Sequence, residues 1–331
     1  MRTLIGLLSL VLLVPAPVGA EQEPQQRTFD FTYSATVTGL KPGQTARVWL
    51  PVPSSGPNQK VRILKRQLPA RGKIAREAKF GNRILFVEAK ANDTGQVPVS
   101  MTYRITRDEV RALPDKGGKP VKGTDMEDAL DRYLAPATRV PIAGKPLELL
   151  KGKELPRDAL GTARSLYDVV YEYMRYSKEG TGWGHGDAVW ACQSGYGNCS
   201  DFHSLFISLA RSRHIPARFE IGFPLPPRGK ESGARAGVIP GYHCWGWFHL
   251  DKKGWVPVDI SEARKHPELR TYYFGNLTED RVAFSTGRDV DLVPQQAGPA
   301  INFLIYPHVE VEGKVYPQEK IIRKFTYKDV E

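Results

Sequence analysis

The stretch Tyr196-Gly197-Asn198-Cys199-Ser200-Asp201-Phe202-His203 and the residues just after it decide how this chain is read. Phe202, Leu205, Phe206, Leu209 and Ala210 recur at helical spacing, and the helix is expected to stop near 211–214, ahead of Pro216. Asn198 suits an N-cap and Asp201 suits the first turn, where a carboxylate meets the positive helix end. Cys199 then becomes the first helical residue, and its sulfur faces unpaired N–H groups that favour the thiolate, the nucleophilic form. The helix end alone is worth about 0.3–1 kcal/mol, less than one pKa unit, so activation requires a partner. Without one, Cys199 is most simply a small buried hydrophobe.

The partner lies in a later hairpin. Residues 242–250, Tyr-His-Cys-Trp-Gly-Trp-Phe-His-Leu, read as a strand; 251–254 read as a turn; Trp255 to Ile260 read as the returning strand. Cys244, Gly246, Phe248 and Leu250 share one face of the first strand, and Val256, Val258 and Ile260 one face of the second. Both sets are apolar or small, so both belong on the core side, and a one-residue slip would bury nothing consistent. His243, Trp245, Trp247 and His249 then share the other face with Trp255, Pro257, Asp259 and Ser261. His243 and Asp259 are therefore opposite or diagonal neighbours, with Cβ atoms about 5–8 Å apart.

Cys199, His243 and Asp259 thus supply a nucleophile, a base that takes and returns its proton, and a carboxylate that orients the ring. The N–H groups opening the Cys199 helix suit an oxyanion. Gln193, Trp190 and Trp245 are the side chains nominated as further oxyanion donors or cleft walls. Trp245, Trp247 and Trp255 together form an aromatic face that suits a dry cleft.

The blocks Gly197-Asn198-Cys199-Ser200-Asp201-Phe202, Ile215-Pro216-Ala217-Arg218, His243-Cys244-Trp245 and Gly254-Trp255-Val256-Pro257-Val258-Asp259 resemble the transglutaminase-like superfamily, a papain-like cysteine fold. The resemblance covers about residues 160–265. It implies an α+β core, with the cysteine helix packed on an antiparallel sheet, and the triad Cys199, His243 and Asp259. The leader and the β-rich first third are similar to secreted bacterial members. Cross-linking acyltransferases, peptidases, amidases and inactive relatives share the fold, so the resemblance supplies machinery and not substrate. The expected substrate is a peptide, protein or cell-wall amide. Hydrolysis is preferred to amine transfer, because no motif visibly favours an amine over water. A silent binding or scaffold protein is the remaining alternative. Some members depend on calcium, but no acidic cluster here offers itself.

Outward from this core, Phe29, Phe31, Tyr33, Ala35 and Val37 alternate with polar residues, as do Val97, Val99, Met101, Tyr103 and Ile105. With the turns between them they predict a β-sandwich domain over 21–112. Residues 113–123 read as a linker. Thr124 and Glu127 read as a capping box opening a helix, and another helix follows Pro156. The catalytic domain is expected over 124–275, and 276–331 as its C-terminal β extension. Gly180-Thr-Gly-Trp-Gly-His-Gly186 lacks the features of a nucleotide loop and reads as a flexible rim.

The chain has 331 residues, 41% hydrophobic and 25% charged, which excludes wholesale disorder. Arg2, the apolar run Leu4–Val14 and Val18-Gly19-Ala20 form a secretory leader, cut after Ala20, so the mature protein is expected to be secreted or periplasmic with no transmembrane span. The net charge of +11 draws it toward polyanionic surfaces rather than specific nucleic acid, and Lys60, Arg62, Lys65, Arg66, Arg71, Lys73 and Arg76 read as a solvated basic face. No cofactor is indicated. A metal set of Cys192, Cys199, His203 and His243 lacks any paired ligand motif, so no metal is assigned. A Cys192–Cys244 disulfide is conceivable in an exported chain, but two free buried thiols are preferred, with Cys244 pointing into the core away from His243.

Overall fold

The computed structural model describes residues 24–113, 130–228 and 235–330. The leader, nearly all of the expected linker and the Thr124 capping box lie outside these residues.

The strands are β1 (Gln26–Val37), β2 (Thr45–Val52), β3 (Gln59–Gln67), β4 (Lys73–Arg76), β5 (Arg83–Lys90), β6 (Val97–Asp108), β7 (Ala217–Pro224), β8 (Ala236–Ile239), β9 (His243–Leu250), β10 (Gly254–Val258), β11 (Arg281–Thr286), β12 (His308–Val311), β13 (Lys314–Val315) and β14 (Ile321–Asp329). The helices are α1 (Ala159–Tyr173), α2 (Ala188–Ser194), α3 (Cys199–Ser212) and α4 (Ile260–Lys265). The α+β reading holds: a strand-rich N-terminal sandwich precedes a helix-on-sheet core.

One sandwich sheet has the order β8-β14-β1-β6-β3, the other β13-β12-β2-β5-β4. The alternation in β1 and β6 places Phe29 to Val37 and Val97 to Ile105 on the buried side, with Phe31 opposite Tyr103 and Tyr33 opposite Met101. β3 and β4 are edge strands, and the seven basic residues between 60 and 76 are all exposed there or beside them. Like charge on an unpaired edge discourages pairing with another chain.

A third sheet, beneath the helices, has the order β10-β9-β7-β11. It does not form a separate core. Phe223 on β7 and Phe284 on β11 pack against Phe31 and Tyr33 of β1, with ring centroids 5.2–6.1 Å apart. One apolar core therefore runs from sandwich to helices.

The sheets also divide differently from the sequence reading. Of residues 276–331, only β11 joins the sheet beneath the helices, while β12, β13 and β14 complete the two sandwich sheets. β14 pairs antiparallel with β1 from Phe29↔Asp329 to Val37↔Ile321. Arg27 fixes this closure by bonding Asp329 at 2.8 Å and Asp280 at 2.6 Å. The reason is spatial: β1 needs a partner on the side away from β6, and the C-terminal strand carries a matching buried face in Phe325 and Tyr327.

Candidate active site

α3 begins as its cap residues dictate. The Asn198 side chain accepts the Ser200 N–H at 2.8 Å, and Asp201 accepts the Asn198 N–H at 2.9 Å. The Asp201 N–H bonds the Asn198 carbonyl at 3.1 Å. Among the described residues the Cys199 N–H has no backbone acceptor and is a free donor at the positive end of the helix.

Asp201 does more than cap. Its buried carboxylate also accepts the N–H groups of Gly184 at 2.7 Å and Gly186 at 2.9 Å. Gly197 makes room for it, since a Cβ there would lie 2.5 Å from the carboxylate oxygen. Arg288 secures the same loop, bonding the Gly186 carbonyl at 2.8 Å and the Ser204 hydroxyl of α3 at 2.6 Å. The glycine stretch read as a flexible rim is thus pinned to the cysteine helix from both sides, because its backbone groups satisfy two buried charges.

The hairpin register follows the parity argument: Gly246 faces Val258 and Phe248 faces Val256. The returning strand ends at Val258, two residues sooner than its pattern suggests. Ile260 starts α4, and Asp259 is its N-cap, accepting the Glu262 N–H at 3.2 Å. From there Asp259 Oδ2 lies 2.8 Å from His243 Nε2. Asp259 occupies only that nitrogen, and the His243 charge acts on the Cys199 thiol. Cys199 is 3%, His243 5% and Asp259 0% exposed, so charges here interact with little water between them.

The electrostatics divide accordingly. Burial pushes the Cys199 thiol up, but bonds from Cys244 and His243 and the imidazolium charge outweigh it and hold the thiol well below its ordinary value. Burial pulls His243 down, but Asp259 and the sulfur push it up to about 10. Burial raises Asp259, yet His243 and Arg281 hold its carboxyl well below the usual range. The favoured state is a thiolate beside an imidazolium.

Several nominated residues are engaged elsewhere. Trp245 is fully buried and its indole N–H donates to Glu220 at 2.6 Å, so it is no oxyanion donor. Trp247 donates to the same carboxylate at 3.0 Å, and Trp255 is buried beneath Arg218, so the aromatic face is packed interior and not a cleft. Trp190 is half-buried against Tyr196, its indole nitrogen directly under Gly182. Gln193 is exposed on α2. The thiols of Cys192, Cys199 and Cys244 are all free and buried. Cys244 does not simply enter apolar core, because its sulfur rests on the first turn of α3, 3.8 Å from Ser200 Oγ and 3.8 Å from His203 Nδ1. Of the metal-set residues, Cys192 donates to the Lys145 carbonyl and His203 has both ring nitrogens on backbone groups.

The sequence reading missed two groups. Tyr242 places its hydroxyl 3.0 Å from Asn198 Nδ2 and 3.2 Å from Ser200 Oγ, bracing the cap. Arg281 reaches Asp259 Oδ2 at 2.9 Å from β11. An arginine beside the apolar Val282 and Phe284 was the one available signal for it.

Residues 150–260 match the family model of the transglutaminase-like superfamily. An uncharacterised protein of Haemophilus influenzae is 28% identical over 320 residues, covering 86% of this chain and 85% of its own. A candidate cysteine protease from Cytophaga hutchinsonii, at 18% identity, superposes with a TM-score of 0.52 over 92% of this chain and 100% of its own, a likeness of fold. The periplasmic domain of TgpA from Pseudomonas aeruginosa aligns at 13% identity and a TM-score of 0.32, over 69% of this chain and 90% of its own.

Proposed function

We propose that the transglutaminase-like core at residues 150–260 is an active cysteine-dependent acyl enzyme that cleaves peptide or protein amide bonds. The observation that carries this is the buried His243–Asp259 pair, joined at 2.8 Å, together with the buried Cys199 at the head of α3, whose thiol the His243 charge holds low. The Cys199 thiolate attacks an amide carbonyl, and the carbonyl electrons move onto oxygen, which the Cys199 N–H receives. His243 then gives its proton to the departing amine as the C–N bond breaks, leaving a thioester. Water, deprotonated by the now neutral His243, attacks the thioester; the acid leaves and the thiolate–imidazolium pair is restored. Asp259 holds the ring in one tautomer throughout.

Hydrolysis is favoured over amine transfer. The tryptophans that would have walled a dry cleft are buried, and the indole N–H groups of Trp245 and Trp247 are bonded to Glu220. The reading places the mature protein outside the cytoplasm, on the strength of the leader pattern, where its basic sandwich edge suits polyanionic surfaces. No helix among the described residues is long and apolar enough to cross a membrane.

The test incubates the mature protein with glutamine-containing peptides and cell-wall fragments, with and without a fluorescent primary amine. Cleavage or ammonia release that disappears in Cys199→Ala supports hydrolysis. Amine incorporation would move the assignment to acyl transfer. No turnover, with Cys199 alkylating like a model thiol at pH 6, would leave a scaffold on an enzyme fold.

A further inference from the structure

We infer that Arg281 is a positioning residue of this site, a buried cation that shares the Asp259 carboxylate with His243 and thereby sets how readily the sulfur and the ring form their ion pair. The inference rests on the triad reading above, and it reaches beyond the matched core, since β11 lies outside residues 150–260.

The geometry is specific. Arg281 Nη1 lies 2.9 Å from Asp259 Oδ2, the same oxygen that meets His243 Nε2 at 2.8 Å. The other oxygen receives the Ser261 hydroxyl and the Glu262 N–H, each at 3.2 Å. Four donors therefore fix the carboxylate, and only one of them belongs to the triad. The guanidinium stacks over Trp245 with its carbon 4.8 Å from the ring centroid, and the Trp245 ring lies 6.0 Å from that of His243.

A purely structural role explains this poorly. The Arg281 side chain is 4% exposed, its Nε has no partner among the described residues, and Nη2 reaches only Thr278 Oγ1 at 3.5 Å. A buried ion pair with an unsatisfied donor is weak as a stabilising device, because desolvation consumes much of its attraction. What it does supply is field. Asp259 and Glu262 face the guanidinium from the start of α4, Tyr273 from the following loop, His243 from β9, Arg107 from β6, and Asp280 is its chain neighbour. Within that set, Arg281 is the fixed charge bonded directly to the triad carboxylate.

The sign follows. Removing a cation makes a thiol harder to deprotonate and an imidazolium harder to deprotonate, so both limbs of the ion-pair window move to higher pH. The carboxylate also loses the donor that aims it when the ring is neutral, midway through turnover.

The experiment is the pH dependence of iodoacetamide alkylation at Cys199, read by mass spectrometry on the full mature protein, which requires no known substrate. Wild type is compared with Arg281→Gln and Arg281→Lys, with thermal melts confirming that each is folded. Arg281→Gln is expected to move the acid limb up by about one pH unit, as expected for loss of a close charge. Arg281→Lys is expected to restore most of that shift, and it keeps the test open should the glutamine variant not fold. A folded Arg281→Gln protein with an unmoved limb overturns the inference, as does a lysine variant displaced as far as the glutamine one. Failure of the triad reading looks different: wild-type Cys199 would itself titrate like an ordinary thiol, near 8.5.

Discussion

The imidazole of His203 accepts the Ile260 N–H at 3.0 Å, while its other nitrogen meets the Cys199 carbonyl at 2.8 Å. A neutral ring thus ties the first turn of the Cys199 helix to the backbone just after Asp259, so the two ends of the proposed triad are held by a fourth side chain. His203→Ala should cost about 1–3 kcal/mol, the usual penalty for leaving a buried N–H unpaired. It should also lower turnover more than a surface substitution of equal stability cost. Burial depresses the folded pKa of His203 below its ordinary value. Its contribution is then full above the unfolded pKa and is lost as pH falls through that value toward the folded one. Urea melts across pH 4 to 8 on wild type and variant check this.

His243 carries the opposite sign. Its folded pKa, pushed up to about 10, exceeds the unfolded value of about 6.5, so its stabilisation is complete below the latter and declines as pH rises toward the former. The same titration removes the proton that the leaving amine needs, so kcat/KM should fall on the alkaline side as pH approaches about 10. An alkaline limb in kcat/KM near 7 would contradict this assignment.

Asp259→Asn should retain substrate binding while lowering kcat by roughly 10³–10⁴-fold, the scale seen when a triad carboxylate is replaced by an amide. It also strands the Arg281 guanidinium, so a loss of about 3–5 kcal/mol in stability is expected alongside. In the double variant Asp259→Asn/Arg281→Met much of that stability should return without the activity. Steady-state kinetics and denaturant melts on the two proteins separate the effects.

Asp201→Ala removes the acceptor of three backbone N–H groups, those of Gly184, Gly186 and Asn198. The expected cost is about 1–3 kcal/mol for each charged bond that water does not replace. Proteolysis should begin within 180–186, and its rate relative to wild type is the direct measure. Gly197→Ala should act in the same direction by displacing the carboxylate.

How much of this was legible depends on the range of each interaction. The α3 cap, the hairpin parity and the alternation of β1 and β6 are local patterns, and the register they dictate is the one observed. Arg281 was hidden because its partner Asp259 lies on another element, and its apolar neighbours, the one local signal, do not name that partner. The anchoring of the glycine loop was hidden for the same reason: Asp201 looked sufficient as a first-turn residue, while its further acceptor capacity pointed out of the helix. Cys244 showed the correct parity, but parity does not say which neighbour its sulfur will meet.

The placement of β14 between β8 and β1 bears on how the molecule comes into being. A polypeptide emerges from the ribosome amino end first, so β1 must wait for β14 before its sheet is whole. Arg281, too, arrives after the three residues it would assist. A chain cut short before residue 281 therefore lacks both the closing strand and the assisting cation.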